Sequence, residues 1–239
     1  MAISRLWVGA FANGIGTTLT PATGGSYQAN DSLIEVTGEL MGTQTITDPS
    51  GYVRVSANNN AKQTVALLHT AASGSETIPG ITWGTGSIAW SVLLAYRGLA
   101  AQASVLDATQ DRVANTTSGN LFGPASATTP NQPNSLVLFV AQMNKTAVTN
   151  GNTFTPPSGF TIIAQQVLSG NKTAVVICEQ IQSTIQAIPA NTVISGSVNE
   201  TSAQTHQGVI IVLKPSVASF APYPRPIPFT VYDTDDTFD

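Results

Sequence analysis

The chain has 239 residues, enough for one large β domain or two small ones and for a sizeable core. Only 9% of them are charged, against roughly 25% in an average soluble domain, so a surface with few ionic groups is expected to be covered in part by neighbouring subunits. The net charge of −4 and the lack of any Lys/Arg cluster argue against a nucleic acid or an anionic membrane as partner, because phosphate binding needs concentrated positive charge.

The segment Met1-Ala2-Ile3-Ser4-Arg5-Leu6-Trp7 lacks the long apolar stretch of a signal peptide, and no run approaches the ~18 apolar residues of a membrane span. Synthesis in a cytosol is therefore expected. Residues 5–12 are rich in Leu, Trp, Val and Phe and read as a first strand, which Asn13-Gly14-Ile15-Gly16 should end; 17–27 reads as a polar loop. In 33–40, Ile34, Val36 and Leu40 alternate with Glu35, Thr37 and Glu39, which predicts a strand with one face in the core and one in water.

Pro49-Ser50-Gly51 supplies a fixed φ and then a permissive one, a tight turn into Tyr52-Val53-Arg54-Val55, with the aromatic expected to plug the sandwich core. Asn58-Asn59-Asn60 reads as a hairpin turn before a β-rich run at 63–69, and further strands are predicted at 77–83 and 87–96. The same succession then returns. Leu136 to Ala141 is apolar on both parities and should be more completely covered than its counterpart. Pro157-Ser158-Gly159-Phe160 repeats the turn, Ser169-Gly170-Asn171 the hairpin, and 172–179, 187–195 and 207–213 the later strands.

The matches keep their order and their spacing never shrinks, as in a duplication with small insertions. Pro21-Ala22 falls on Pro124-Ala125, Asp31-Ser32-Leu33 on Asn134-Ser135-Leu136, and Pro49 on Pro157. Thr64 to Leu68 then falls on Thr173 to Ile177, Ile78-Pro79 on Ile188-Pro189, and Arg97 on Lys214. No segment carries sustained helical periodicity. The fold expected is all-β: an antiparallel, jelly-roll-like β-sandwich over 1–215, built from two internal repeats of about 1–98 and 99–215. One sandwich is favoured over two tandem modules, since 98–133 contains no obvious linker and each half offers only about five strands.

Beyond Pro215 the character changes. Prolines alternate with aromatic and apolar residues from Phe220 to Phe229, which enforces an extended arm, and the chain ends in an acidic run. Such an arm cannot bury its own apolar groups, so 216–239 is expected to dock on a neighbouring subunit or another protein through Phe220, Tyr223, Pro224, Ile227, Phe229, Tyr232 and Phe238.

Signals of chemistry are weak. His69 and His206 belong to no metal-ligand spacing, and no nucleophile elbow, Walker or dinucleotide glycine pattern occurs. Glu35 and Glu39 share a strand face but stand ~13 Å apart, beyond the ~6.5–9.5 Å of an inverting glycosidase pair, so a solvated face is expected. Asp233, Asp235 and Asp236 lack the glycine and glutamate of an EF-hand loop. Cys178, the only cysteine, sits in an apolar run and reads as a buried thiol. Trp83, Trp90, Tyr96 and Tyr52 suggest a sugar-stacking platform, although strand aromatics are more often core. No catalytic, metal or cofactor site is assigned.

Asn/Asp-Ser-Leu opening a strand, Pro-Ser-Gly-aromatic after it, Ala95-Tyr96-Arg97-Gly98 and Val212-Leu213-Lys214-Pro215 closing the halves, and Leu106-Asp107-Ala108 between them together resemble the duplicated β-sandwich domains of tailed-bacteriophage virion proteins. The resemblance covers residues 1–215 and not the arm. It implies a non-enzymatic particle component assembled in the host cytoplasm: a capsid decoration or cement protein, a head-surface protein, or a tail-associated one. Its partners would be other virion proteins and copies of itself. The alternative is a tail-associated receptor- or carbohydrate-binding module that grips a host surface glycan.

Overall fold

A computed structural model describes residues 2–39, 46–56, 64–116, 120–124, 126–144, 153–168, 173–196 and 204–216. The first half contributes β1 (Ser4–Val8), β2 (Ala12–Leu19), β3 (Ser32–Glu39), β4 (Val53–Arg54), β5 (Thr64–Thr70) and β6 (Ile81–Arg97). A 3-10 turn, Gln102–Ser104, leads into β7 (Leu106–Thr116), β8 (Leu121–Phe122), β9 (Ser135–Asn144), β10 (Phe154–Thr155), β11 (Thr161–Leu168), β12 (Thr173–Gln182), β13 (Val193–Gly196) and β14 (Gln204–Leu213). The fold is all-β, and its strand pairs are antiparallel.

Each half of the chain lays down one large sheet. The first runs β1-β6-β3-β5-β4, with β2 also on β6; the second runs β7-β14-β9-β12-β11. Taken strand by strand, these are the same order. The small sheet β10-β13-β8 is matched in the first half by the far end of β2 on β6 and by the bridge from Thr47 to Thr82.

Details of register agree as well. β1 skips a residue between Arg5 and Trp7 opposite Tyr96 and Ala95, and β7 skips one between Leu106 and Ala108 opposite Leu213 and Val212. Gly51 and Gly159 have φ of +83° and +82°, and the N–H of Tyr52 reaches Pro49 O at 3.1 Å as that of Phe160 reaches Pro157 O at 3.0 Å. A positive φ at the third residue of a closed turn is the type II geometry, which glycine adopts without a Cβ clash.

Asn30 and Asn134 form a second matched pair, with φ of 69° and 61°. Their N–H groups bond Ala71 O at 2.8 Å and Gln182 O at 2.6 Å. Asn134 thus corresponds in space to Asn30, one residue from the match that sequence suggested. A slip of one reverses facing in a strand, so Leu33 lies on the outer face while Leu136 lies between the sheets.

The main core fills the space between the sheets. Ile34, Val36, Leu68, Val92 and Leu94 from one meet Leu138, Val140, Ile177, Val209 and Ile211 from the other. One polar contact ties the sheets together through it and is continued by a second within the second sheet. Trp90 Nε1 donates to Gln142 Oε1 at 2.8 Å, and Gln142 Nε2 to Gln207 Oε1 at 3.2 Å. At one end Tyr96 Oη donates to Glu179 Oε2 at 2.6 Å, while Arg5 pairs with the other oxygen of that carboxylate. Gly38 is required beside the first contact, because a Cβ there would fall on Gln142 Oε1 and the Trp90 indole.

The outer faces are covered too. Leu121, Ile188 and Ile194 pack over Val137, Phe139, Val176 and Cys178 on the second sheet. Ile46, Tyr52, Ile81 and Trp83 pack with Val65 and Leu67 on the first. Three expectations change accordingly. The aromatics after the two turns, Tyr52 and Phe160, plug these outer layers rather than the space between the sheets. The strand β3 has no watery face, for Glu35 and Thr37 are as buried as Ile34 and Val36. And Gly14 and Gly16 do not end a strand: they lie within β2, where the long β6 supplies a ladder for an extended backbone. The complete burial predicted for 136–141 is observed. The hairpin turns at 58–60 and 169–171 and the arm beyond Ser216 lie outside the described residues.

Candidate functional site

A buried polar cluster lies on the outer face of the first sheet. Glu35 sits on the central strand β3, paired to Leu67 on one side and Leu93 on the other, and is 0% exposed. Its Oε1 accepts from Ser91 Oγ at 2.7 Å; Oε2 has no hydrogen-bond partner among the described residues. Burial pushes the carboxyl up to about 8, with the Ser91 bond pulling weakly the other way. The Tyr52 hydroxyl and the Trp83 indole N–H are likewise buried and unpartnered among the described residues. Burial raises the Tyr52 phenol, and the Glu35 charge adds to it.

His69 closes the rim of this cluster. Its ring stacks on Tyr52 with centroids 5.0 Å apart and planes 23° from parallel. Nδ1 is 3.0 Å from Gly51 O and Nε2 is 2.8 Å from Glu76 Oε2. Burial raises the Glu76 carboxyl, but the hydrogen bonds from His69 and from the Ala72 and Ser73 N–H groups outweigh it and leave it below the usual range. The turn, the imidazole and the carboxylate thus make a plug over the end of the sheet.

The second half treats the same places differently. By strand pairing, Phe139 stands where Glu35 does, Gly208 where Ser91 does, and Gln180 where His69 does. Phe160 replaces Tyr52 and meets Phe139 edge-on, with centroids 6.5 Å apart. The Ile188-Pro189 match puts Gln186 at the place of Glu76. Without the plug, a cleft of about 400 Å³ is left beside the Pro157 to Phe160 turn, with Phe160, Gln180, Gln182, Gln186, Asn191 and Thr192 among its walls. Gln182 is 6% exposed; its Nε2 donates to Gln180 Oε1 at 3.3 Å, and its Oε1 has no partner among the described residues.

The arm residues Phe220, Tyr223, Pro224, Ile227, Phe229, Tyr232 and Phe238, and the acidic Asp233, Asp235 and Asp236, lie outside the described residues. Trp90 and Tyr96 are fully buried and Trp83 and Tyr52 nearly so, hence they present no stacking platform. Glu35 is not on a solvated face. Cys178 is fully buried, and burial pushes its thiol up to about 12, which leaves it inert as a nucleophile. His206 lies within β14 rather than in a polar turn, with Nδ1 2.8 Å from Asn120 O and its imidazole held below the usual range by burial.

Sequence reasoning missed both the burial of Glu35 and the glutamine-lined cleft. The signal for the cleft was Gln180-Ile181-Gln182 followed by Gln186, against His69 and Glu76 in the first half. The chain matches no protein-family model, no curated protein and no solved structure.

Proposed function

We propose that this chain is a non-enzymatic structural component of a tailed-bacteriophage particle, a capsid decoration or cement protein or a head-surface protein, assembled in the host cytoplasm. The matched strand order, skipped residues and turns of the two halves support the duplicated sandwich on which that reading draws. Its partners are other virion proteins and copies of itself, and its docking element is the arm at 216–239.

The observation that carries the reading is where the few charges go. Arg5, Arg54, Arg97 and Lys214 are each turned to an acidic side chain: Glu179, Asp48, Asp31 and Asp107. Glu35 is buried outright. In a chain that is only 9% charged, these cations are thus each neutralised by a partner, and the rest of the described exterior is made of amides, hydroxyls and small apolar groups, suited to lasting contact with neighbours.

Gradient-purified particles from a lysate that contains the chain provide the test. Quantitative mass spectrometry should find it in the particle band at a fixed ratio to the major shell protein. A chain cut after Pro215 should stay folded and be lost from that band. Finding the whole chain only among free proteins would refute the virion role, and undiminished incorporation of the shortened chain would refute the arm.

A further inference from the structure

The two halves supply an internal control. In the first, the place beside the type II turn is filled by His69, stacked on Tyr52 and held between Gly51 O and Glu76. In the second, the turn has the same geometry, yet Gln180 and Gln186 leave the place open. The scaffold therefore does not require the cleft. Gln182 is among its walls, with a carboxamide oxygen that is buried and has no partner among the described residues, and such a group costs stability unless something satisfies it.

We propose that this cleft is a binding site for a neutral saccharide. The volume, about 400 Å³, falls in the ~300–1,000 Å³ range of small-ligand sites. Its polar groups come from Ser158, Gln180, Gln182, Gln186, Asn191 and Thr192, with no charged side chain among the lining residues, so neither an anion nor a cation is selected. Carboxamides donate and accept at once, as sugar hydroxyls do, so adjacent hydroxyls can bridge neighbouring glutamines. The exposed Pro189 and the half-buried Pro157 and Val193 give the apolar surface that the C–H face of a sugar ring needs. An extended peptide fits less well, because Pro157 and Pro189 in the wall lack the N–H that strand addition uses.

The site does not depend on the virion role, and the two stand or fall by different measurements. The full chain, labelled with ¹⁵N, is titrated with cellobiose, lactose, chitobiose and maltose while the side-chain NH₂ signals of Gln180, Gln182 and Gln186 are followed. At least one sugar should move those signals saturably. The double variant Gln180→His/Gln186→Glu copies the plug of the first half and should abolish the shifts with its backbone spectrum otherwise intact. Gln182→Met keeps the side chain's length and removes its hydrogen bonds; affinity should fall by about tenfold, the effect of one lost hydrogen bond of ordinary strength. Signals unmoved by all four sugars, or undiminished binding by both variants, would overturn the proposal. So would movement of the same signals by a peptide of residues 217–229 and by no sugar, which would hand the cleft to a proline-rich chain.

Discussion

Glu35 and Phe139 occupy equivalent places on the central strands of the two sheets, a carboxyl in one and a phenyl ring in the other. Each is fully buried and each faces the outer layer. Since Phe139 shows that the place accepts an apolar side chain, the carboxyl is not a requirement of the fold.

That carboxyl makes stability depend on pH with a definite sign. Its ordinary value is 4.5 and its folded value about 8, so between the two the folded chain holds a proton that the unfolded chain has released. This contribution is whole below pH 4.5, shrinks as pH rises, and is gone above about 8, at up to ~1.4 kcal/mol per pH unit. His206, lowered from 6.5 by burial, acts in the opposite sense as pH rises towards 6.5, and the lowered Asp31 and Glu76 act at more acidic pH. The difference between wild type and Glu35→Gln isolates the carboxyl. In urea unfolding across this window, the variant should gain on wild type by on the order of 3 kcal/mol. A constant difference would show that Glu35 keeps its ordinary acidity.

The Trp90 to Gln142 bond crosses the core at a point where Gly38 leaves room for it. Gly38→Ala should therefore cost about 1–3 kcal/mol through overpacking. Gln142→Leu strips the fully buried indole N–H of its acceptor and should cost about 1–3 kcal/mol. Chemical denaturation measures both; a loss below about 0.5 kcal/mol for each would mean that the network adjusts freely.

The positions of strands were largely legible, because alternation and Pro-Ser-Gly turns are local signals. Facing was not. Leu33 and Leu136 align in sequence but look opposite ways, since one residue of slip at Asn30 and Asn134 reverses the facing of the strand that follows. Glu35 read as solvated because Glu and Thr alternated with Ile and Val. Its burial depends on Ile46, Ile81 and Trp83, which arrive from distant segments to roof the sheet. The cleft escaped notice for the converse reason: glutamines ordinarily lie at a surface, and only comparison with the His69 and Glu76 plug reveals what is open.

Tyr96 and Arg5 converge on one carboxylate from the opposite sheet, Glu179. Tyr96→Phe leaves packing intact and removes one charge-assisted bond, with an expected loss of about 1.5–3 kcal/mol. Arg5 is partly exposed, so Arg5→Ala alone should cost less. Because both act on the same group, the double variant should depart from additivity by at least about 0.5 kcal/mol. Strict additivity in a double-mutant cycle would mean that the two contacts are independent.

Gly51 and Gly159 share a φ near +80° but not their surroundings. Alanine at either must adopt a left-handed backbone, at roughly 1–2 kcal/mol. At Gly51 the nearest atom to a new Cβ, His69 Nδ1, is 3.6 Å away, an ordinary contact. At Gly159 it is Gln180 Nε2, at 2.5 Å, so the glutamine must swing aside. Thermal unfolding should therefore show a loss for both variants and a larger one for Gly159→Ala, while the Gln180 NH₂ signal moves in that variant alone. Equal losses with an unmoved Gln180 signal would mean that the backbone around Gly159 gives way before the side chain does, and that the turn and the cleft wall are not coupled.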